Sequence, residues 1–144
     1  MLSGHEFLCF GDDYGRMPST FQRIVKELSR KNKVLWINSL GERKIGFSIR
    51  DLKRIIEKLK SLGVKKQGTH DAVIVFSPLA IPLSYNFGIM RKLNTAIIRF
   101  QLRNIMKKIN MKEPIIMASV RGIFDIIEGL PKKALAYFCL DDYK

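Results

Sequence analysis

Five short apolar runs recur along the chain, and each is apolar nearly throughout instead of alternating with polar residues. Runs of this kind are typical of strands that are covered on both faces. The runs are Phe7–Phe10, Val34–Ile37, Ala72–Phe76, Ile115–Ala118 and Ala134–Leu140. Five largely buried strands are therefore predicted.

The stretches between the first three runs have helical spacing. Ser19-x-x-Gln22 predicts a capping box, and Ser48-x-x-Asp51 predicts a second helix start. The apolar positions of the first helix follow at i, i+3, i+4 and i+7: Phe21, Ile24, Val25 and Leu28. Those of the second helix repeat the pattern: Leu52, Ile55, Ile56, Leu59 and Leu62.

The pattern continues to the last run with two more helices. A long one is predicted from about Gly88 to Ile109, and a short one over Gly122–Ile127. Apolar members of the long helix include Ile89, Leu93, Ala96, Ile97 and Phe100. The resulting βαβαβαβαβ order predicts one α/β domain over residues 1–144, with a Rossmann-like open parallel sheet and helices on both faces.

Two acidic pairs, each followed by a tyrosine, come at the ends of the first and last runs, the first pair after Gly11. They are Asp12–Asp13 and Asp141–Asp142. Ligands of open parallel sheets bind beyond the carboxyl ends of the strands, so both pairs are first candidates for a site. Carboxylates accept hydrogen bonds from hydroxyl-rich ligands, and an aromatic ring stacks on a sugar face. The alternative is that these aspartates only organise a turn or a strand exit.

The loop after the first run disfavours the common phosphate chemistries. Gly11 and Gly15 do not form a G-x-G-x-x-G pattern, and the carboxylates between them would repel a pyrophosphate. A Walker loop is absent. A phospho-receiver domain needs an acceptor aspartate after the third run, where this chain has Ser77.

Metal chemistry has little support in the sequence. Adjacent carboxylates could hold a hard cation, but neither pair has the D-x-D spacing of metal-dependent sugar transferases. His5 and His70 lack zinc-ligand spacing to either cysteine. No metal is therefore expected.

Charge changes the picture more than any other property of the composition. The 26 basic and 13 acidic residues give a net charge of +13, which favours nucleic acid, anionic lipid or an acidic substrate as partner. The apolar runs are far shorter than the roughly 20 residues of a membrane span, and no signal peptide is recognisable. Cys9 and Cys139 lie in apolar runs, which predicts buried free thiols in a reducing, cytoplasmic compartment.

Three segments resemble bacterial glycosyltransferases of the GT-B, family 4-like type. They are GDDYGRMPSTFQRIVKELSRKNKVLWINSLGERK, FSPLAIPLSYNFGIMRKLN and AYFCLDDY. The resemblance covers the N-terminal domain of that fold, which generally holds the acceptor. It implies that this chain is a fragment, inactive alone, without its C-terminal donor domain. It also implies that no cofactor is bound here, and that the nucleotide-sugar donor binds to the full-length enzyme.

The resemblance places the loop after the first strand in the cleft, near a sugar or lipid-linked acceptor. Many family members have a histidine base in a cleft loop, but this chain has no counterpart. Either Asp12 or Asp13 would therefore have to be the catalytic base, or the mechanism differs. The expected substrate-binding residues are Gly11, Tyr14, Gly15, Arg16, Ser19, Ser77, Arg121, Asp141 and Asp142.

Basic residues on the second and third predicted helices lie away from the apolar positions. Each alone is typical of a solvated face, whereas together they predict peripheral contact with an anionic membrane at its inner face. The candidates are Lys53, Arg54, Lys58, Arg91, Arg99 and Arg103. Two alternatives from other classes remain: a basic nucleic-acid-binding protein, which lacks a recognised motif here, and a stand-alone Rossmann-like binding module without catalysis.

Overall fold

The computed structural model describes residues 2–39, 65–66, 72–79 and 88–139, which include six strands and three helices. The strands are β1 (Glu6–Phe10), β2 (Lys33–Ile37), β3 (Lys65–Lys66), β4 (Val73–Phe76), β5 (Ile115–Ala118) and β6 (Ala134–Tyr137). The helices are α1 (Thr20–Ser29), α2 (Gly88–Lys108) and α3 (Phe124–Glu128).

The strands form one sheet in the order β3-β4-β2-β1-β5-β6. Every pair from β4 to β6 is parallel, which confirms the predicted Rossmann-like sheet of five strands. The two-residue β3 adds an antiparallel edge beside β4 and was not predicted, because Lys65 and Lys66 carry no apolar signal. The predicted second helix, Leu52–Leu62, lies outside the described residues.

Helices cover both faces of the central strands, as predicted. On β1, Leu8 and Phe10 belong to the core beneath α2 and α3, whereas Phe7 and Cys9 belong to the core beneath α1. All four side chains are at most 2 % exposed. This alternation explains why β1 is apolar at consecutive positions: each face has its own helix layer.

The last strand differs from this arrangement. All four β6 residues are exposed, including Leu135 and Tyr137, and among the described strands β6 ends the sheet beside β5. Cys139 just beyond it is exposed, so the prediction of a buried thiol was wrong there. Cys9 is buried as predicted, and its burial raises the pKa of the thiol.

Helix α1 begins as the sequence predicts and packs its apolar positions on the sheet. The Ser19 Oγ accepts a hydrogen bond from the Gln22 backbone N–H at 3.2 Å. The second half of the predicted capping box is replaced, since the Gln22 side chain holds the loop before α1 instead. Phe21 and Val25 are at most 1 % exposed, whereas Ile24 lies at the rim and is 36 % exposed.

Helix α2 has apolar residues on two opposite faces. Its inner face packs on the sheet through Ile98, Leu102, Ile105 and Met106. The apolar members singled out from the sequence lie elsewhere. Ile97 is half-buried, and the other four are exposed: Ile89, Leu93, Ala96 and Phe100.

Candidate ligand site at the carboxyl edge

The strand order reverses at β1, which has β2 on one side and β5 on the other. Just beyond the carboxyl ends, the Gly11 N–H donates to the Ile37 carbonyl at 3.3 Å, and the Ser119 N–H donates to the Phe10 carbonyl at 3.0 Å. The acidic loop therefore leaves the sheet at the switch point, where ligands of this architecture bind.

Gly11 allows the loop to pass close over Trp36. A Cβ at this position would lie 2.3 Å from the indole ring, which only glycine avoids. The Trp36 side chain is fully buried, and its Nε1–H donates to the Asp12 carbonyl at 3.0 Å. The Tyr14 ring meets the same indole edge-on, with centroids 5.2 Å apart. One buried aromatic side chain thus supports the whole turn.

Two further side chains fix the backbone of the loop. The Tyr14 N–H donates to Asn38 Oδ1 at 2.9 Å, and the Gly15 N–H donates to Gln22 Oε1 at 3.1 Å. The Gln22 Nε2 donates in turn to the Asp13 carbonyl at 3.4 Å. Gly15 has a φ of 80°, a conformation that favours glycine. These contacts join the loop to β2 and α1.

In the described hydrogen bonds, the carboxylates of the loop do not hold its backbone. Asp12 is exposed, and the half-buried Asp13 lies 3.7 Å from the Arg16 guanidinium. An exposed pair of this kind contributes little to stability. Among the described residues, the loop backbone is held through the Asp12 and Asp13 carbonyls and by Trp36, Asn38 and Gln22. The turn is therefore organised by other side chains, and the carboxylates remain at its surface.

The structure brings several predicted residues to this edge. Ser77 follows β4, and its Oγ accepts a hydrogen bond from Asn38 Nδ2 at 2.8 Å. Arg121 is exposed in the loop after β5, two residues beyond Ser119. Ser19 is placed differently, because its hydroxyl caps α1. Asp141 and Asp142 lie outside the described residues.

Three residues that shape the site were missed in the sequence. Trp36 was assigned only to a strand, Gln22 only to a helix cap, and Asn38 to no role. A polar Asn38 directly after an apolar run was the available signal, because a side chain there lies at the same edge as the acidic loop. For Trp36 and Gln22 the pattern carried no such signal, since both positions are also explained by burial or capping.

Three of the six basic residues predicted to contact a membrane have partners on α3 or directly after it. Arg91 forms an exposed ion pair with Asp125 at 3.2 Å. Arg99 donates to the carbonyls of Asp125 and Ile126, and Arg103 donates to the Gly129 carbonyl at 2.6 Å. These arginines tie α3 to α2, and membrane contact stays a prediction. Lys53, Arg54 and Lys58 lie outside the described residues.

Comparison with known proteins assigns no family. No family model matches the chain, and neither curated proteins nor solved structures give a match. In residues 2–39, 65–66, 72–79 and 88–139, no three His, Cys, Asp or Glu side chains are grouped to hold a metal ion. No helix in these ranges is long and apolar enough to cross a membrane. Function is therefore inferred from the geometry of the carboxyl edge.

Proposed function

We propose that this chain is the N-terminal, acceptor-side domain of a nucleotide-sugar-dependent glycosyltransferase that makes a cell-surface glycan or glycolipid. The observation that carries the proposal is the loop Gly11–Arg16. It lies at the switch point, is fixed by buried and half-buried side chains, and presents carboxylates at its surface. The sequence resemblance to GT-B enzymes implies that this loop lies on the acceptor side of a cleft.

The chemistry of the loop suits a neutral, hydroxyl-rich ligand. Carboxylate oxygens accept hydrogen bonds from sugar hydroxyls, and a fixed backbone reduces the entropy lost on binding. Asp12 is the first candidate for the base that takes a proton from the acceptor hydroxyl, because its carboxylate is the more exposed. Asp13, paired with Arg16, is the second candidate.

The donor side of the reaction is assigned to another domain. The acidic loop disfavours a pyrophosphate, so the nucleotide-sugar is proposed to bind to a C-terminal donor domain, the partner of this chain. This domain alone is then expected to bind an acceptor sugar without transferring one. It acts at the cytoplasmic side of the membrane, where a lipid-linked acceptor and the basic surface of the chain would meet.

Backbone amide shifts in NMR titrations test the proposal on the whole 144-residue chain. A panel of soluble methyl glycosides is expected to shift the amides of residues 11–16 and Ser119, whereas UDP leaves them in place. Asp12→Asn should weaken these shifts, because a carboxylate oxygen becomes a poorer acceptor. Glu113→Gln, which changes an exposed carboxylate remote from the loop in sequence, is the control.

Two results would contradict the proposal. One is the absence of glycoside shifts at the loop, and the other is UDP binding there more tightly than any glycoside. A sequence-selective complex with RNA or DNA would instead favour the nucleic-acid alternative, since salt-sensitive binding alone is expected of any basic protein. Glycoside binding by a natural form without a donor domain would favour a stand-alone binding module.

A further inference from the structure

The outer face of α2 combines apolar and basic residues in a way that packing among the described residues does not explain. Ile89 is 80 % exposed, Leu93 46 % and Phe100 66 %, and Ala96 between them is also exposed. The intervals of four, three and four residues keep these side chains on one face. That face lies roughly 180° around the helix from Ile98 and Leu102. We call Ile89, Leu93, Ala96 and Phe100 the outer stripe.

The charge of α2 is of one sign. Its 21 residues contain six basic side chains and no acidic one. Arg99 and Arg103 donate to neutral carbonyls, and among the described residues Arg91 is paired with Asp125. Lys92 lies beside the outer stripe. Lys107 lies in line with the stripe, two turns after Phe100 and one turn after Arg103. The basic residues are Arg91, Lys92, Arg99, Arg103, Lys107 and Lys108.

We propose that the outer stripe inserts into the interface of an anionic lipid bilayer while the basic residues of α2 contact lipid headgroups. An apolar face bordered by lysine and arginine is the composition of helices that lie in a membrane interface. A second copy of the chain fits poorly, because it would bring the like charges that lie near each stripe, among them Lys92 and Lys107, to one seam. Nucleic acid would use the charge but leave Ile89 and Leu93 without an apolar contact.

The sheet topology shows where the outer stripe of α2 lies relative to the acidic loop Gly11–Arg16. Helix α2 connects the parallel strands β4 and β5, so it runs antiparallel to them and begins at the carboxyl edge of the sheet. The Gln101 side chain also holds the Leu79 backbone, just beyond β4, at 2.7 and 2.9 Å. The exposed first turns of α2 therefore lie toward the edge that carries the acidic loop. The inference depends on α2 alone and not on the proposed sugar site.

Vesicle co-sedimentation of the full chain tests the proposal. Phosphatidylcholine vesicles are compared with vesicles that also contain phosphatidylglycerol. Leu93→Ser/Phe100→Ser is expected to weaken binding to the anionic vesicles by about tenfold or more, because apolar area no longer leaves water. The control Leu135→Ser/Phe124→Ser removes a leucine and a phenylalanine of similar exposure, 45 % and 57 %, and should bind as the wild type does.

The charge is tested separately. Lys92→Gln/Lys107→Gln/Lys108→Gln should weaken binding more than Arg23→Gln/Lys31→Gln/Lys112→Gln, which removes the same number of exposed cations elsewhere. Circular dichroism checks that each variant is folded.

Four outcomes would overturn the proposal. The chain does not bind anionic vesicles at low salt, or the stripe and control variants bind equally. The third is that Leu93→Ser/Phe100→Ser abolishes a dimer that the wild type forms. The fourth is that this variant abolishes capture of an acidic protein but still binds vesicles. A failed glycoside titration would leave the membrane proposal standing, since Asp12 has no part in it.

Discussion

Helices α1 and α2 have apolar residues at similar intervals, but the side chains that follow this spacing are largely buried in α1 and largely exposed in α2. In α1 the positions Phe21 and Val25 are buried against the sheet, and only Ile24 reaches the rim. In α2 the outer stripe is exposed, and a second set around Leu102 forms the core. The comparison shows that periodicity identifies a helix, but does not say which face is inward when a helix has two apolar faces.

The two helices have one structural feature in common on their inner faces. Each carries a buried glutamine that holds the backbone of a loop at the carboxyl edge: Gln22 is 8 % exposed and Gln101 is 5 % exposed. Gln22 bonds to Asp13 and Gly15, and Gln101 bonds both backbone groups of Leu79. The helices therefore differ on their outer faces and agree on how they support this edge.

The largest effect is expected when the buried aromatic of α1 is removed. Phe21 packs on Trp36 and stacks on Phe138, with centroids 5.3 and 5.5 Å apart. Phe21→Ala should lower the free energy of unfolding by about 3–5 kcal/mol, measured by urea denaturation, because a cavity remains beside the indole. A loss below about 1 kcal/mol would mean that α1 does not hold this face of the sheet.

An intermediate effect is expected from the paired glutamines. Gln22→Ala and Gln101→Ala each leave backbone groups unpaired, so each should cost about 1–3 kcal/mol in the same denaturation experiment. Only Gln22→Ala should also change the amide exchange rates of residues 13–15, since Gln101 acts on the loop after β4. Equal changes at that loop in both variants would contradict the separate roles.

The smallest effect on stability is expected at the outer stripe. Phe100→Ala should change the free energy of unfolding by about 0.5 kcal/mol or less, because the ring is 66 % exposed and alanine favours helix. Phenylalanine to alanine is thus expected to cost much stability in α1 and little in α2. A loss comparable to that of Phe21→Ala would show that Phe100 is packed in solution and would remove the basis for the membrane proposal.

Local pattern was sufficient to predict a parallel sheet with helices on both faces, but not the order of its strands. Consecutive apolar residues in β1 and β2 need two covering layers, which only a parallel sheet with helices on both faces supplies. It failed at β6, where a similar run lies at the exposed edge, because a run does not reveal how many neighbours a strand has. It also failed for the inward face of α2, which depends on tertiary packing.

The candidate site was predicted in outline only. Asp12 and Arg16 could be placed at a strand end, because the carboxyl ends of parallel strands share an edge. The support beneath the loop could not be predicted from the sequence, since Trp36 lies in β2 and Asn38 directly after it, more than twenty positions along the chain. Contacts of that separation follow from the fold and not from spacing.

The most direct test of the difference between α1 and α2 compares two added tryptophans, one at the rim of α1 and one in the outer stripe of α2. The native Trp36 is the chain's one tryptophan and is fully buried, so Phe100→Trp and Ile24→Trp each add a reporter over a constant background. With anionic vesicles that carry brominated acyl chains, the Phe100→Trp emission is expected to shift to the blue and be quenched, whereas the Ile24→Trp emission stays unchanged. Equal quenching of both, or of neither, would contradict the assignment of α2 as the membrane-facing helix.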